Sequence, residues 1–245
     1  MKIFRSAFAV FCDPRGMLRI LLHGMIGAVV LFEISVGWAA DKVLGIDVSH
    51  HNDIEDWQVL QAANISFVIL KATDGLDYLD PDFTSRFSQL SQFGFVRGAY
   101  HFFETDDDPE QQADWFISNV QLVPGDLPPI VDIERVKGPV SGDVHKNFKI
   151  FLSRLEAHYG ARPVIYTGPT FWDHVMKQHF PRYPLWIAQY DVEAPLVPDG
   201  WKAWTFWQHT NDFAVPGLQD PLDASYFNGS KDDLKKLLPS HSPSP

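Results

Sequence analysis

The chain has 245 residues, 45% of them hydrophobic and 14% aromatic, enough for one large domain with a substantial core and unlike a disordered polymer. Its single cysteine, Cys12, lies near the N-terminus, so the remainder has neither a disulfide framework nor a thiolate nucleophile. Residues 1–40 carry four of the 20 basic and two of the 31 acidic side chains, which leaves 16 against 29 and a net charge of −13. That balance argues against nucleic acid, whose binding needs Lys and Arg to neutralise phosphates.

Lys2, Arg5, Arg15 and Arg19 precede the apolar run 20–40, which ends in the small residues Ala39 and Ala40 before Asp41. The pattern is that of a secretory leader cut near Ala40, with export to the periplasm or the exterior, or of an uncleaved N-terminal membrane anchor. Glu33 interrupts the run, and a start at Met17 gives a more ordinary leader. The main domain is expected over 41–238, with a disordered Pro/Ser-rich tail over 239–245.

From Val43 onward short apolar runs alternate with helical patterns. Strands are expected at 43–49, 66–73, 95–102, 128–134 and 162–167, and helices at 55–63, 82–93, 109–120, 142–159 and 169–179. Pro109 near a helix start and Gly94 and Gly160 just past two ends fit the asymmetry of helix termini. Five βα units in succession point to a parallel sheet or barrel. The rhythm then changes, because "LWIAQY" (185–190) and "WTFWQHT" (204–210) are joined by a loop with Pro195, Pro198 and Gly200 that fits no helix. The last of about three further strands are therefore expected to be joined irregularly or antiparallel.

Polar and aromatic residues gather at the strand ends. They are Asp47, Thr73 and Asp74, Tyr100 and His101, Asp132 and Glu134, Tyr166 and Thr167, Gln189 and Tyr190, and Gln208, with Asp223 in "PLDASYFNG". In βα barrels the C-terminal rim of the strands is where active sites are built. Asp132 and Glu134 alternate with Ile133 in one strand, so they share a face with backbone positions roughly 6.6 Å apart. Two carboxylates inside an apolar strand cost several kcal/mol unless a neighbour or a shifted pKa relieves them. Capping of the next helix, or pairing with Arg135 and Lys137, explains one such strand end but not a whole succession of them.

A rim of carboxylates, amides and aromatics without a phosphate loop suits carbohydrate. Tyr100, Tyr166, Trp186, Tyr190, Trp204 and Trp207 are the candidates to face sugar rings, although many aromatics serve only the core. Glycoside hydrolysis needs one carboxylic acid that keeps its proton beside others that stay charged, and crowding acids together divides them in this way.

The motifs "GIDVSHHND", "FVILKATDGLDYLDPDF", "GAYHFF", "PPIVDIE", "PVIYTGPTFW", "LWIAQY", "WTFWQHT" and "LDASYFNGS" resemble, in order and spacing, glycoside hydrolase family 25, the secreted N-acetylmuramidases or lysozymes. The resemblance spans roughly 43–238. It implies an α/β fold, a flattened TIM-like barrel with five βα units followed by about three strands. It also implies hydrolysis of the β-1,4 bonds between N-acetylmuramic acid and N-acetylglucosamine in peptidoglycan, by a monomer without a cofactor. On the matching motifs Glu134 corresponds to the general acid and Asp132 to its partner, while Asp47 and Asp223 correspond to the other acids of the groove floor. Tyr100, Tyr166, Trp186, Gln189, Tyr190, Trp207 and Gln208 fall where the family lines its sugar subsites. Departures are Asp74 for a common glutamate, Asn52 and Asp53 for a frequent Gln-Gly, and Ser225 for a usual asparagine.

No metal is expected. His50 and His51 project to opposite faces of an extended chain, and "ETDDDPE" (104–110) lacks the ligand spacing of a calcium loop and reads instead as a helix start. His101 reads as a structural histidine. Competing readings are a chitinase-like hydrolase or glucosaminidase acting on N-acetylated glycans, and a non-catalytic wall-binding module. Chitinase-like enzymes carry extra aspartates before D-x-E, where this chain has Pro128 and Ile130.

Overall fold

The structure is a computed structural model that describes residues 42–137, 144–177 and 180–239 in full and 9–12, 18–23 and 29–34 by their backbone. It divides into two units, Met1–Asp41 and Lys42–Pro245. In the first, β1 (Ala9–Cys12), β2 (Leu18–His23) and β3 (Val29–Ile34) form an antiparallel meander. The apolar run read as one leader segment is thus divided between β2 and β3, while the expected cleavage position and residues 240–245 of the expected tail lie outside the described residues. Among the described residues no helix is long and apolar enough to cross a membrane.

The second unit is an eight-stranded barrel. Its strands, in chain order, are β4 (Val43–Val48), β5 (Ile65–Asp74), β7 (Val96–Phe102), β8 (Ile130–Asp132), β9 (Val164–Thr167), β10 (Leu185–Ala188), β11 (Phe206–Phe213) and β12 (Leu222–Phe227). A two-residue strand, β6 (Tyr78–Leu79), forms a hairpin on β5. Neighbours from β4 through β11 are all parallel, and β12 closes the ring antiparallel between β11 and β4. The helices α1 (Gln58–Ala62), α2 (Phe83–Leu90), α3 (Pro109–Asn119) and α4 (Val144–Tyr159) follow the first four barrel strands, and α6 (Lys231–Leu237) follows the last.

Five βα units are present as expected. The change of rhythm is more specific than the sequence suggested: β10 and β11 stay parallel although residues 189–205 between them form no helix, and only β12 reverses. The expected helix over 169–179 is a short α5 (Pro169–Phe171) running into a π-helical turn over Trp172–Met176, and residues 178–179 lie outside the described set. The wider turn seats Trp172 edge-on against Phe148, Phe180 and Trp201. The acidic run does start a helix: Asp108 accepts from the Glu110 and Gln111 amides at 3.0 and 2.9 Å, and Pro109 follows at the first helical position.

Alternation along the strands creates two cores. Val68 and Leu70 point outward to pack with Phe103, Phe116, Phe148 and Phe151 beneath the helices. Phe67 and Ile69 point inward to meet Val43, Ile130, Val164, Phe206 and Phe227 at the barrel floor. His101 is a structural histidine of the outer layer: Nδ1 lies 2.8 Å from Thr73 Oγ1 and Nε2 lies 3.1 Å from Gln112 Oε1. Burial lowers its pKa to about 4, so the ring is neutral at ordinary pH.

Inward positions on β4 and β7 are kept small where the floor is crowded. A Cβ at Gly98 would lie 2.9 Å from Leu127 Cδ1, and one at Gly45 would run into the Phe67 ring. Gly45→Ala is therefore expected to destabilise the barrel by about 2–3 kcal/mol through overpacking, read as a lower urea midpoint with unchanged slope.

Candidate active site

The inward stripe of each strand changes character along the barrel axis. On β4 it runs Val43, Gly45, Asp47; on β8, Ile130, Asp132 and then Glu134 just past the strand; on β11, Phe206 then Gln208. On β12 the order is reversed, Asp223, Ser225, Phe227, because that strand runs the other way. Apolar residues therefore fill one end of the barrel and carboxylates line the other. A cavity of about 140 Å³ opens there, lined by Asp47, Tyr100, Asp132, Glu134, Tyr166, Trp186, Gln208 and Asp223.

Registry places Asp223 directly opposite Asp47 across the antiparallel pair, an arrangement of like charges that destabilises a sheet unless protons or donors relieve it. Gln208 supplies the donor: its Nε2 lies 3.0 and 2.9 Å from the two oxygens of Asp47. Its Oε1 accepts from the Tyr166 hydroxyl at 2.8 Å and the Tyr190 hydroxyl at 2.6 Å. Trp186 Nε1 donates to Ser225 Oγ at 3.0 Å, so the serine that stands in place of the expected asparagine still anchors the indole.

All four acids are held above the ordinary carboxylate range. Burial is the first cause for Asp47, followed by the charge of Asp223, with Gln208 acting in the opposite sense. For Asp132 burial comes first and Glu134 second, with Lys71 opposing. Asp132 Oδ1 is buried without a hydrogen-bond partner. Glu134 stands exposed at the mouth; loss of water around its carboxyl raises its pKa, while Arg135 and then Lys71 pull it back. Asp223 is raised by burial and then by Glu134.

The model of the family described as Glycosyl hydrolases family 25 matches residues 46–218. The chain belongs to glycosyl hydrolase family 25. It is 34% identical over 208 residues to Lysozyme M1 of Streptomyces globisporus, covering 80% of this chain and 71% of that protein. To the N,O-diacetylmuramidase of Chalaropsis sp it is 31% identical over 212 residues, covering 80% and 98%. Among solved structures, the bacterial lysozyme from Streptomyces coelicolor aligns with a TM-score of 0.76 at 32% identity, over 80% of this chain and 96% of that one.

In this family 25 glycoside hydrolase all four acids and Tyr100, Tyr166, Trp186 and Gln208 share one cavity, and Tyr190 is bonded to it through Gln208. Two expected subsite residues lie elsewhere. Trp207 is one step out of phase with Gln208 on β11, so it faces away from the cavity and packs with Leu185 and Ile187. Its Nε1 donates to the Gln189 carbonyl at 2.7 Å, and the Gln189 side chain is turned to the Leu196 amide, also at 2.7 Å, pinning the β10–β11 loop. Trp204 packs against Trp207 as well.

Lys71 is a member of the site that the sequence reading passed over. It continues the inward set of Phe67 and Ile69, pairs with Asp74 at 2.8 Å, and is the cation acting on both Asp132 and Glu134. A lysine in phase with buried residues of a strand was the available signal. His50 bonds Asp80 at 2.9 Å and the Tyr78 hydroxyl at 3.1 Å. Among the described residues no three His, Cys, Asp or Glu side chains are grouped to hold a metal ion.

The raised carboxyls set the sign of a stability effect. A folded-state pKa above the unfolded one means that the native state binds the extra proton, so this contribution is present at low pH and lost as pH rises through the raised value. Asp132→Asn removes the loss. Its unfolding midpoint at pH 8 is expected a few degrees above that of the parent, and the gap should close as the pH is lowered toward 4.

Proposed function

We propose that the enzyme is an N-acetylmuramidase that hydrolyses the β-1,4 bonds between N-acetylmuramic acid and N-acetylglucosamine in peptidoglycan. The observation that carries this reading is the cavity in which Asp47 of β4, Asp132 of β8, Glu134 just past β8 and Asp223 of β12 converge with neutral tyrosine, tryptophan and amide groups. Membership of family 25 and similarity to proteins called lysozyme and N,O-diacetylmuramidase supply the substrate class and favour it over a chitinase-like enzyme, a glucosaminidase or a wall-binding module.

In this mechanism Glu134, at the mouth, protonates the glycosidic oxygen; its upward pKa shift favours the protonated form that a general acid needs. Asp132 lies deeper on the same face, and its unpartnered Oδ1 is free to engage the substrate's acetamide group. Asp47 and Asp223 offset the positive charge that develops as the ring approaches an oxocarbenium ion. Tyr100, Tyr166 and Trp186 supply flat, uncharged walls, since burial holds both tyrosine hydroxyls protonated. A monomer suffices, and the net charge of −13 outside residues 1–40 suits a ligand read by shape and hydrogen bonds. Export follows from the substrate's place outside the cytoplasmic membrane, and the basic start and apolar run of residues 1–40 support a leader or anchor.

Glu134→Gln is expected to cut the release of reducing ends from purified peptidoglycan at least about 10³-fold with an unchanged circular dichroism spectrum. Mass spectrometry of the wild-type digest should show muramic acid at the new reducing ends; glucosamine there, or full activity in the variant, contradicts the reading. N-terminal sequencing of the exported protein should begin near Asp41 if the leader is cleaved, whereas an intact N-terminus in a membrane fraction marks an anchor.

A further inference from the structure

Gln208 is buried at the centre of the cavity floor, and each polar atom of its amide has two partners. A carboxamide has one end that only donates and one that only accepts, so its orientation dictates what its neighbours must do. The hydroxyls of Tyr166 and Tyr190 both point at Oε1, the acceptor bonded to each of them at 2.8 and 2.6 Å. Burial keeps both phenols protonated, so each retains a proton to give. Turning the amide over would aim a carbonyl oxygen at the two oxygens of Asp47, which is tolerable only with a proton on that acid, and would take the acceptor from both tyrosines.

We infer that Gln208 is a positioning residue: the two tyrosine hydroxyls fix its amide so that Nε2 donates to both oxygens of Asp47, which favours the charged form of Asp47 against its burial and the neighbouring acids. Without that donor the proton shared among the acids would settle on Asp47 more readily, at the expense of Asp132, Glu134 and Asp223. Burial, and then like charge from Asp223 on β12 and Glu134 just past β8, push a proton toward Asp47. The amide acts on Asp47 in the opposite sense. Tyr190 follows β10 in the loop to β11, so side-chain hydrogen bonds run from that loop to the floor of the site, Tyr190 to Gln208 to Asp47.

The role assigned here deepens the muramidase reading and rests on it for its catalytic meaning, but its first test needs no substrate. In full-length protein labelled with ¹³C at the aspartate carboxyls, the Asp47 resonance, assigned through Asp47→Asn, is expected to titrate at higher pH in Tyr190→Phe and higher still in Tyr166→Phe/Tyr190→Phe. Retained dispersion in a methyl spectrum shows that each variant is folded, and the single Tyr190→Phe change serves if the double variant is not. An unchanged Asp47 titration in folded variants overturns the inference. The second test is a double-mutant cycle on peptidoglycan hydrolysis. Tyr190→Phe should lower kcat about 10-fold and move the acid limb of the pH profile upward in the parent, yet change little in an Asp47→Asn background. Equal losses in both backgrounds mean that Tyr190 acts on the sugar directly and overturn the assignment. A wild-type protein that leaves peptidoglycan intact overturns the proposed function alone, since the titration stands without it.

Discussion

The structure turns on the closure of the barrel by β12, the one strand that runs against the others. Seven parallel strands carry their polar residues to a common rim at their C-terminal ends, as in other barrels of this architecture. A strand running the opposite way must bring its beginning to that rim. Asp223 sits at the second position of β12, and antiparallel registry sets it against Asp47 on β4. Two carboxylates are thereby held across a sheet in a place where sheets avoid like charge, and the neighbouring chemistry answers that conflict.

The answer is distributed over several strands. Gln208 on β11 donates from Nε2 to both oxygens of Asp47, tyrosines on β9 and after β10 hold that amide, and Lys71 on β5 offsets Asp132 on β8 and Glu134 just past it. The result is a set of acids raised by different neighbours and to different depths. Glu134 is exposed at the mouth and Asp132 is buried below it with an unsatisfied oxygen. A glycoside hydrolase needs this unevenness, because one acid must hold a proton while others stay charged. Stability is lost to obtain it, as is common where buried charge serves catalysis.

The apolar half of the barrel makes the polar half possible. Phe67, Phe206 and Phe227 fill the floor, and Gly45 and Gly98 leave them room. Outside the strands a second core under α3 and α4 buries Phe103, Phe116, Phe148 and Phe151. The acids are held by strands fixed from both sides, so their separations are set by the backbone ladder. The exception is Tyr190, which belongs to a loop and reaches the floor through one hydroxyl.

Much of this was legible in the order of residues. Strands buried on two faces read as continuous apolar runs, helix boundaries at Asp108–Pro109 and Gly160 follow local capping and backbone rules, and Asp132 and Glu134 share a face because strand geometry has a period of two. The same period, applied to "FVILKAT" and "FWQ", assigns Lys71 to the inside and Trp207 to the outside, but only once the strand's facing is known. Facing is a property of the closed sheet. Which way β12 runs, how β10 and β11 stay parallel without a helix between them, and which tyrosines meet Gln208 depend on contacts between residues far apart in the chain. Local propensity and spacing therefore determined the repertoire of acids and the strands that carry them, whereas barrel closure alone decided their pairing and which of them meets the Gln208 amide.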